Sequence, residues 1–192
     1  MKTAAVILSG GMSRRMGSDK SMLVLDGRTF LQRAADTYAP FFDKICVSVN
    51  EKGRFPLPEG TDELADIFPG QGPLAGLHAA LSAGYDSVFM AAVDLPFASG
   101  EAAAEVLRML GGHDACVIRR GEKFEPAFAA YGRNCLPVIE KMLENGDNKV
   151  GILLRQVNTR WLSEADLPGF DIEKILSNVN HPEDFEKIKT PV

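Results

Sequence analysis

Little in this sequence points to redox, metal-cluster or nucleophile chemistry. The three cysteines (Cys46, Cys116, Cys135) are odd in number and widely spaced, and Cys46 and Cys116 sit in apolar runs where a thiol serves as a small hydrophobe. They read as structural thiols in a reducing compartment. The three histidines (His78, His113, His181) show neither metal-ligand nor triad spacing, and G-x-S-x-G is absent, so nucleophilic hydrolysis has no support. No apolar run approaches the roughly 20 residues that span a bilayer. The short run after Met1-Lys2-Thr3 is too brief for a signal-peptide core, so a cytoplasmic protein without membrane contact is expected. An excess of positive charge is also missing: the net charge is −5, which excludes nucleic acid as a favoured partner. Two nucleotide signatures are absent as well. Lys20 follows Asp19 and precedes Ser21, so there is no Walker A ending, and no G-x-G-x-x-G occurs. P-loop NTPases and nicotinamide dehydrogenases are thereby set aside.

What is present is an ordinary globular composition, 45% hydrophobic and 24% charged over 192 residues, enough for about one domain with a real core. Ala4 to Leu8 is a continuous apolar run closed by glycines, the mark of a strand covered on both faces. Thr29 is placed to cap a helix from Phe30 toward Tyr38 with Leu31, Ala34, Ala35 and Tyr38 on one face. Strands are expected at Lys44 to Val49, Ser87 to Val93, Ala115 to Ile118 and Ala127 to Tyr131. Helices are expected at Gly76 to Ala83, Gly100 to Leu110, near Asn134 to Glu144 and from Pro182, with a mixed segment around Val150 to Trp161. Residues 51 to 72, with three prolines and four glycines, read as loop with little regular structure. The alternation predicts an α/β fold, a three-layer α/β/α sandwich around a Rossmann-like, mostly parallel sheet.

The stretch Leu8-Ser9-Gly10-Gly11-Met12-Ser13-Arg14-Arg15-Met16-Gly17-Ser18-Asp19-Lys20 follows the first strand directly. Glycine backbone lets a polyanion approach main-chain N–H groups, while Arg takes phosphate oxygens bidentately and Lys acts as a point charge. A nucleoside triphosphate is the ligand this predicts; a merely solvated cationic face is the alternative. Ligands of open parallel sheets bind beyond the carboxyl ends of the strands. That rule gathers residues 8 to 20, the loop near Ser48 to Asn50, the Gly72-Pro73-Leu74-Ala75-Gly76 turn and Asp94 onto one edge. Asp94, at the tip of a hydrophobic strand and before an X-Pro turn, reads either as a ligand for a divalent cation such as Mg²⁺ or as a cap of the helix near Ser99. Asp66 reads as a nucleoside ligand or a solvated turn residue. The turn before Gly76 is a simple connection, or it presents helix N-terminal N–H groups to a ligand. Asn178 and Asn180 stand on one side of a short strand before Pro182, with Asn180 a ligand or a cap.

Residues 8 to 20 match L-x-G-G-x-S-x-R-M-G-x-D-K, which is similar to the opening signature of the molybdenum cofactor guanylyltransferases and their wider nucleotidyltransferase relatives. Gly72-Pro73-Leu74-Ala75-Gly76, Asp94-Leu95-Pro96, Glu125-Pro126-Ala127-Phe128-Ala129 and Asn178-Val179-Asn180-x-Pro182-Glu183 extend the resemblance over nearly the whole chain. It implies a nucleotidyltransferase-type fold in a single domain over 1–192, its N-terminal half binding nucleotide and its C-terminal half the acceptor. The implied activity is transfer of GMP from Mg·GTP to molybdopterin. By position, Leu8, Ser9, Gly10 and Gly11 would shape the nucleotide pocket, Arg15 and Lys20 would hold phosphates, and Asp66 would contact the nucleoside. Asp94 would meet both GTP and Mg²⁺, and Asn178 and Asn180 would face the pterin. Ser48 stands where some members carry asparagine, and His181 where threonine is more usual. Passing contact with other molybdenum cofactor biosynthesis proteins or with molybdoenzymes is also implied. Rival readings are a nucleotidyltransferase of other specificity (a molybdopterin cytidylyltransferase or a sugar-phosphate nucleotidyltransferase) and a non-catalytic GTP-binding sensor.

Overall fold

The computed structural model describes residues 2–9, 20–53, 56–180 and 182–189. In chain order the strands are β1 (Thr3–Leu8), β2 (Val24–Leu25), β3 (Arg28–Thr29), β4 (Ile45–Val49), β5 (Thr61–Ala65), β6 (Ser87–Ala92), β7 (Ala115–Arg120), β8 (Lys123–Gly132) and β9 (Thr159–Leu162). The helices are α1 (Phe30–Tyr38), α2 (Pro73–Ser82), α3 (Gly100–Leu110), α4 (Leu136–Glu144), α5 (Val150–Gln156), α6 (Ile172–Ile175) and α7 (Pro182–Lys189). Seven strands form one sheet in the order β5-β4-β1-β6-β8-β7-β9. All neighbours run parallel except β8, which is antiparallel to both β6 and β7. The mostly parallel sheet read from the sequence is therefore present.

Strand alternation builds two cores. Ala5 and Ile7 of β1 face a cluster with Phe30, Leu31 and Tyr38 of α1, Ala102 and Val106 of α3 and Ile172 of α6. Ala4 and Val6 face the opposite cluster, with Leu74 and Leu77 of α2, Ile139 of α4 and Leu153 of α5. A strand clamped between two apolar layers has no polar positions to spare, hence the unbroken Ala-Ala-Val-Ile-Leu run. Helix α1 starts where expected: the Thr29 hydroxyl accepts from the Gln32 N–H at 3.1 Å, and the Gln32 side chain accepts from the Thr29 N–H at 2.9 Å. This reciprocal box satisfies two donors that a helix start leaves orphaned.

Three expectations need correction. Residues 51 to 72 are not simply loop, because Thr61–Ala65 adds the edge strand β5 beside β4. Helix α2 begins at Pro73 rather than Gly76, since proline at the first helical position gives up an N–H that would be unbonded there. Residues 178 to 180 form no strand; Val179 only donates its N–H to the Asp94 carbonyl at 3.0 Å. The small hairpin of β2 and β3 was signalled by Asp26-Gly27, both at positive φ (52° and 78°), the chemistry of a tight hairpin turn.

Gly100 fixes how closely α3 lies against α1. A Cβ there would stand 2.2 Å from the Thr37 carbonyl oxygen and 2.5 Å from the Phe41 ring. Among the described residues no helix is long and apolar enough to cross a membrane.

Candidate active site

Beyond the carboxyl ends of β1, β4 and β6 lies a cleft of about 450 Å³, bordered by Leu8, Ser9, Lys20, Ser48, Asp66 and Asp94 among others. Strand polarity explains the convergence: three parallel strands end on one rim, so the residue following each is delivered to the same place.

Lys20 and Asp94 meet there. The Lys20 ammonium donates to the Asp94 carboxylate at 2.7 Å and to Asn180 Oδ1 at 2.9 Å. Both charged side chains keep about a sixth of their surface exposed (16% and 17%), enough to re-pair with an incoming ligand. The capping alternative for Asp94 fails, because Ser99 caps α3 itself, its hydroxyl accepting from the Ala102 N–H at 3.2 Å. Asp94 faces the cleft, paired with Lys20.

A line of hydroxyls ties the rim together. Ser21 donates to the Ser9 carbonyl at 3.0 Å, Ser9 to the Ser48 carbonyl at 2.5 Å, and Ser48 to Asp66 Oδ1 at 3.0 Å. Burial pushes the Asp66 carboxyl above the ordinary aspartate range, and the Ser48 hydrogen bond only partly opposes this. The folded protein thus binds the Asp66 proton more tightly than the unfolded chain does, so this group's contribution to stability falls as pH rises through its raised pKa. Asp66→Asn is expected to raise the denaturation midpoint at pH 7 more than at pH 4. Equal gains at both pH values in paired urea titrations would contradict this account.

The start of α2 borders the same cleft through Gly70, Gly72 and Pro73. Gly72 sits at φ 66°, ψ −154°, a conformation open essentially to glycine alone, and no side chain caps the helix. The partial positive charge of the helix start therefore faces the ligand space. Gly76 brings α2 close to the strands, since a Cβ on it would fall 2.4 Å from Ser48 Oγ and 3.0 Å from a Leu8 methyl.

Of the residues singled out in the sequence, Leu8, Ser9, Lys20, Asp66 and Asp94 line this one cleft, and Asn180 joins it through Lys20. Asn178 is exposed and outside the cleft lining. Gly10, Gly11, Arg14 and Arg15 lie outside the described residues, as does His181. Ser48 and Asn50, from the loop expected on this edge, line the cleft as well; Ser21 was not foreseen, and its burial is the tertiary fact that gives it a role. His78 is buried and packs edge-on against Phe68. The cysteines are buried and free, with burial pushing the Cys116 thiol up to about 11 and Cys135 up to about 12, so they stay protonated and inert.

Among the described residues no cluster of three or more His, Cys, Asp or Glu is placed to hold a metal. Mg²⁺ requires no such cluster when a triphosphate is present, since it takes one or two protein carboxylates and fills its shell with phosphate oxygens and water. A lone, partly exposed aspartate opposite a lysine fits that requirement.

Comparison with known proteins assigns the family. Residues 5–161 match the model of the MobA-like NTP transferase domain. A probable molybdenum cofactor guanylyltransferase of Pelotomaculum thermopropionicum is 34% identical, over 98% of this chain and 93% of that protein. The molybdenum cofactor guanylyltransferase of Desulfosudis oleivorans is 32% identical, over 97% and 94% respectively. Among solved structures, molybdopterin-guanine dinucleotide biosynthesis protein A of Archaeoglobus fulgidus superposes with a TM-score of 0.84 at 25% identity, covering 97% of this chain and 96% of that one.

Proposed function

Since the chain belongs to the MobA-like NTP transferase family, we propose that it is a molybdenum cofactor guanylyltransferase, an enzyme that transfers GMP from GTP to molybdopterin. The observation that carries this reading is the Lys20–Asp94 pair at 2.7 Å on the rim of a nucleotide-sized cleft. One residue suits phosphate oxygens and the other a hard cation, and they reach one point.

An acceptor phosphate oxygen attacks the α-phosphorus of GTP; a new P–O–P bond forms, the α–β anhydride breaks, and pyrophosphate leaves. A phosphate monoester has a second pKa of about 6, so it arrives ionised at pH 7 and needs no general base. Among the described residues no histidine lines the cleft, which accords with that. The protein's work is to hold two anions in line and neutralise charge on the departing pyrophosphate. Lys20 grips the phosphates together with Arg15, and Leu8, Ser9, Gly10 and Gly11 shape the floor. Asp66 and Ser48 take the nucleoside, while Asn178 and Asn180 face the acceptor. Asp94 would hold Mg²⁺, which supplies charge neutralisation on the triphosphate when bound. The whole chain reads as one domain, the N-terminal half for nucleotide and the C-terminal half for acceptor.

Purified protein given GTP, Mg²⁺ and molybdopterin is expected to release pyrophosphate, with CTP, ATP and UTP poor substitutes. In a thermal-shift panel only GTP should raise the midpoint strongly. A larger shift with CTP would indicate cytidylyl transfer instead. GTP binding without turnover of any acceptor would indicate a sensor.

A further inference from the structure

The carboxyl rim continues past the cleft onto β8, β7 and β9, and Arg119, Phe124 and Trp161 on this far part lie outside the cleft lining. Met90 pairs with Ala129, Ala129 with Val117 and Val117 with Trp161, so these four stand in one row across the sheet. Two residues further along, Ala92 of β6 lines the cleft and Arg119 of β7 stands at its height. Between them β8 is bulged: the two steps from Val117 to Arg119 answer to the five from Ala129 to Phe124. Bulges re-aim side chains. This one contains Glu125, Pro126 and Ala127; Ala127 lines the cleft, and the Tyr131 hydroxyl pins the segment by donating to the Pro126 carbonyl at 2.8 Å.

Past the bulge, the Phe124 ring meets the Trp161 ring edge-on at 5.9 Å between centroids, and the Arg119 guanidinium lies over Trp161 at 5.7 Å. Phe124 is backed by Gly151 of α5, where a Cβ would come within 2.9 Å of the ring. Trp161 lies on the α2 face of the sheet, as its strand neighbour Thr159 shows by donating to the Leu154 carbonyl of α5 at 2.8 Å. The indole is braced by these neighbours and yet 40% exposed. Arg119, Arg120 and Lys123 outnumber Glu122 at the hairpin tip, a local positive field in a chain of net charge −5. β6 and β9 are three strand spacings apart, about 14 Å, and a fused-ring acceptor with a phosphate arm bridges such a gap.

We infer that Trp161, Phe124, Arg119 and Glu125 form the seat of the acceptor's ring system, a flat anionic heterocycle whose face stacks on the indole. Arg119 meets its negative substituents, and the Glu125 carboxylate, now 3.6 Å from Arg120, takes ring-edge N–H donors. This deepens the guanylyl-transfer reading and rests on it for the identity of the acceptor.

Calorimetric titration of molybdopterin without GTP tests the seat on wild type, Trp161→Ala and Trp161→Phe, alongside GTP binding and the acceptor KM. Trp161→Ala is expected to weaken molybdopterin binding and raise its KM about tenfold with GTP affinity unchanged, and Trp161→Phe to recover most of the loss. Trp161 is the sole tryptophan, so its emission should fall on adding molybdopterin and not GTP. Arg119→Gln should lower the affinity and its salt dependence in a protein of unaltered core. Equal molybdopterin affinity in wild type and all three variants overturns the seat, as does a loss confined to a protein that delivers the cofactor. Trp161-dependent binding without any pyrophosphate release upholds the seat and sinks the transfer reading instead.

Discussion

Asp94→Asn is expected to slow guanylyl transfer by about a thousandfold, some 4 kcal/mol of transition-state stabilisation, while GTP still binds. The amide keeps the size and one acceptor oxygen of the carboxylate but carries no charge to hold a hard cation. Lys20, relieved of its anionic partner at 2.7 Å, keeps its hydrogen bond from the ammonium to Asn180 and remains directed into the cleft. Phosphate grip should therefore survive, and the defect should fall on kcat more than on KM for GTP. Lys20→Met predicts the reverse balance, with GTP affinity lost together with rate, because a point charge on the phosphates acts in ground and transition states alike. Single-turnover pyrophosphate release with saturating GTP separates the two. Wild-type rates for Asp94→Asn would remove the metal-holding role from that residue.

Gly100→Ala should be the most damaging single methyl in the described fold. The new Cβ would lie 2.2 Å from the Thr37 carbonyl oxygen and 2.5 Å from the Phe41 ring. A ring can turn aside, but a backbone carbonyl in the last turn of α1 moves only if the helix moves. Overpacking of this kind costs about 1–3 kcal/mol, with the upper end expected against backbone. For a chain of this length that corresponds to a fall in Tm on the order of 10 °C. None of Thr37, Phe41 and Gly100 lines the cleft, so activity at low temperature should persist. A variant with the wild-type midpoint would mean that α1 and α3 separate freely.

Local patterns made much of this legible in the sequence. β1 is an apolar run because both its faces are covered, α1 opens on Thr29 and Gln32 as a reciprocal cap, and Asp94 follows a strand whose direction is fixed by its neighbours. What escaped depends on partners distant in the chain. Strand β5 reads Thr-Asp-Glu-Leu-Ala, too polar to declare itself, because an edge strand has one neighbour and only partial burial. The hydroxyl line from Ser21 to Asp66 spans four segments, and no spacing encodes it. Residues 178 to 180 looked like a strand because Asn-Val-Asn alternates, yet only the valine N–H found a strand-end carbonyl to pair with. β8 starts at Lys123, before the Ala127 to Tyr131 strand expected from the sequence, and its bulge falls largely in that earlier part.

Lys20 is held by Asn180, 160 positions downstream, and Asp94 by the N–H of Val179. Synthesis proceeds from the amino end, so β1, α1 and β4 leave the ribosome while the amide that steadies the lysine is still unmade. A nascent chain can thus form much of the cleft rim early and still lack the amide that tethers the Lys20 ammonium. The link between the two segments therefore waits until residue 180 has been made, long after Lys20 has emerged.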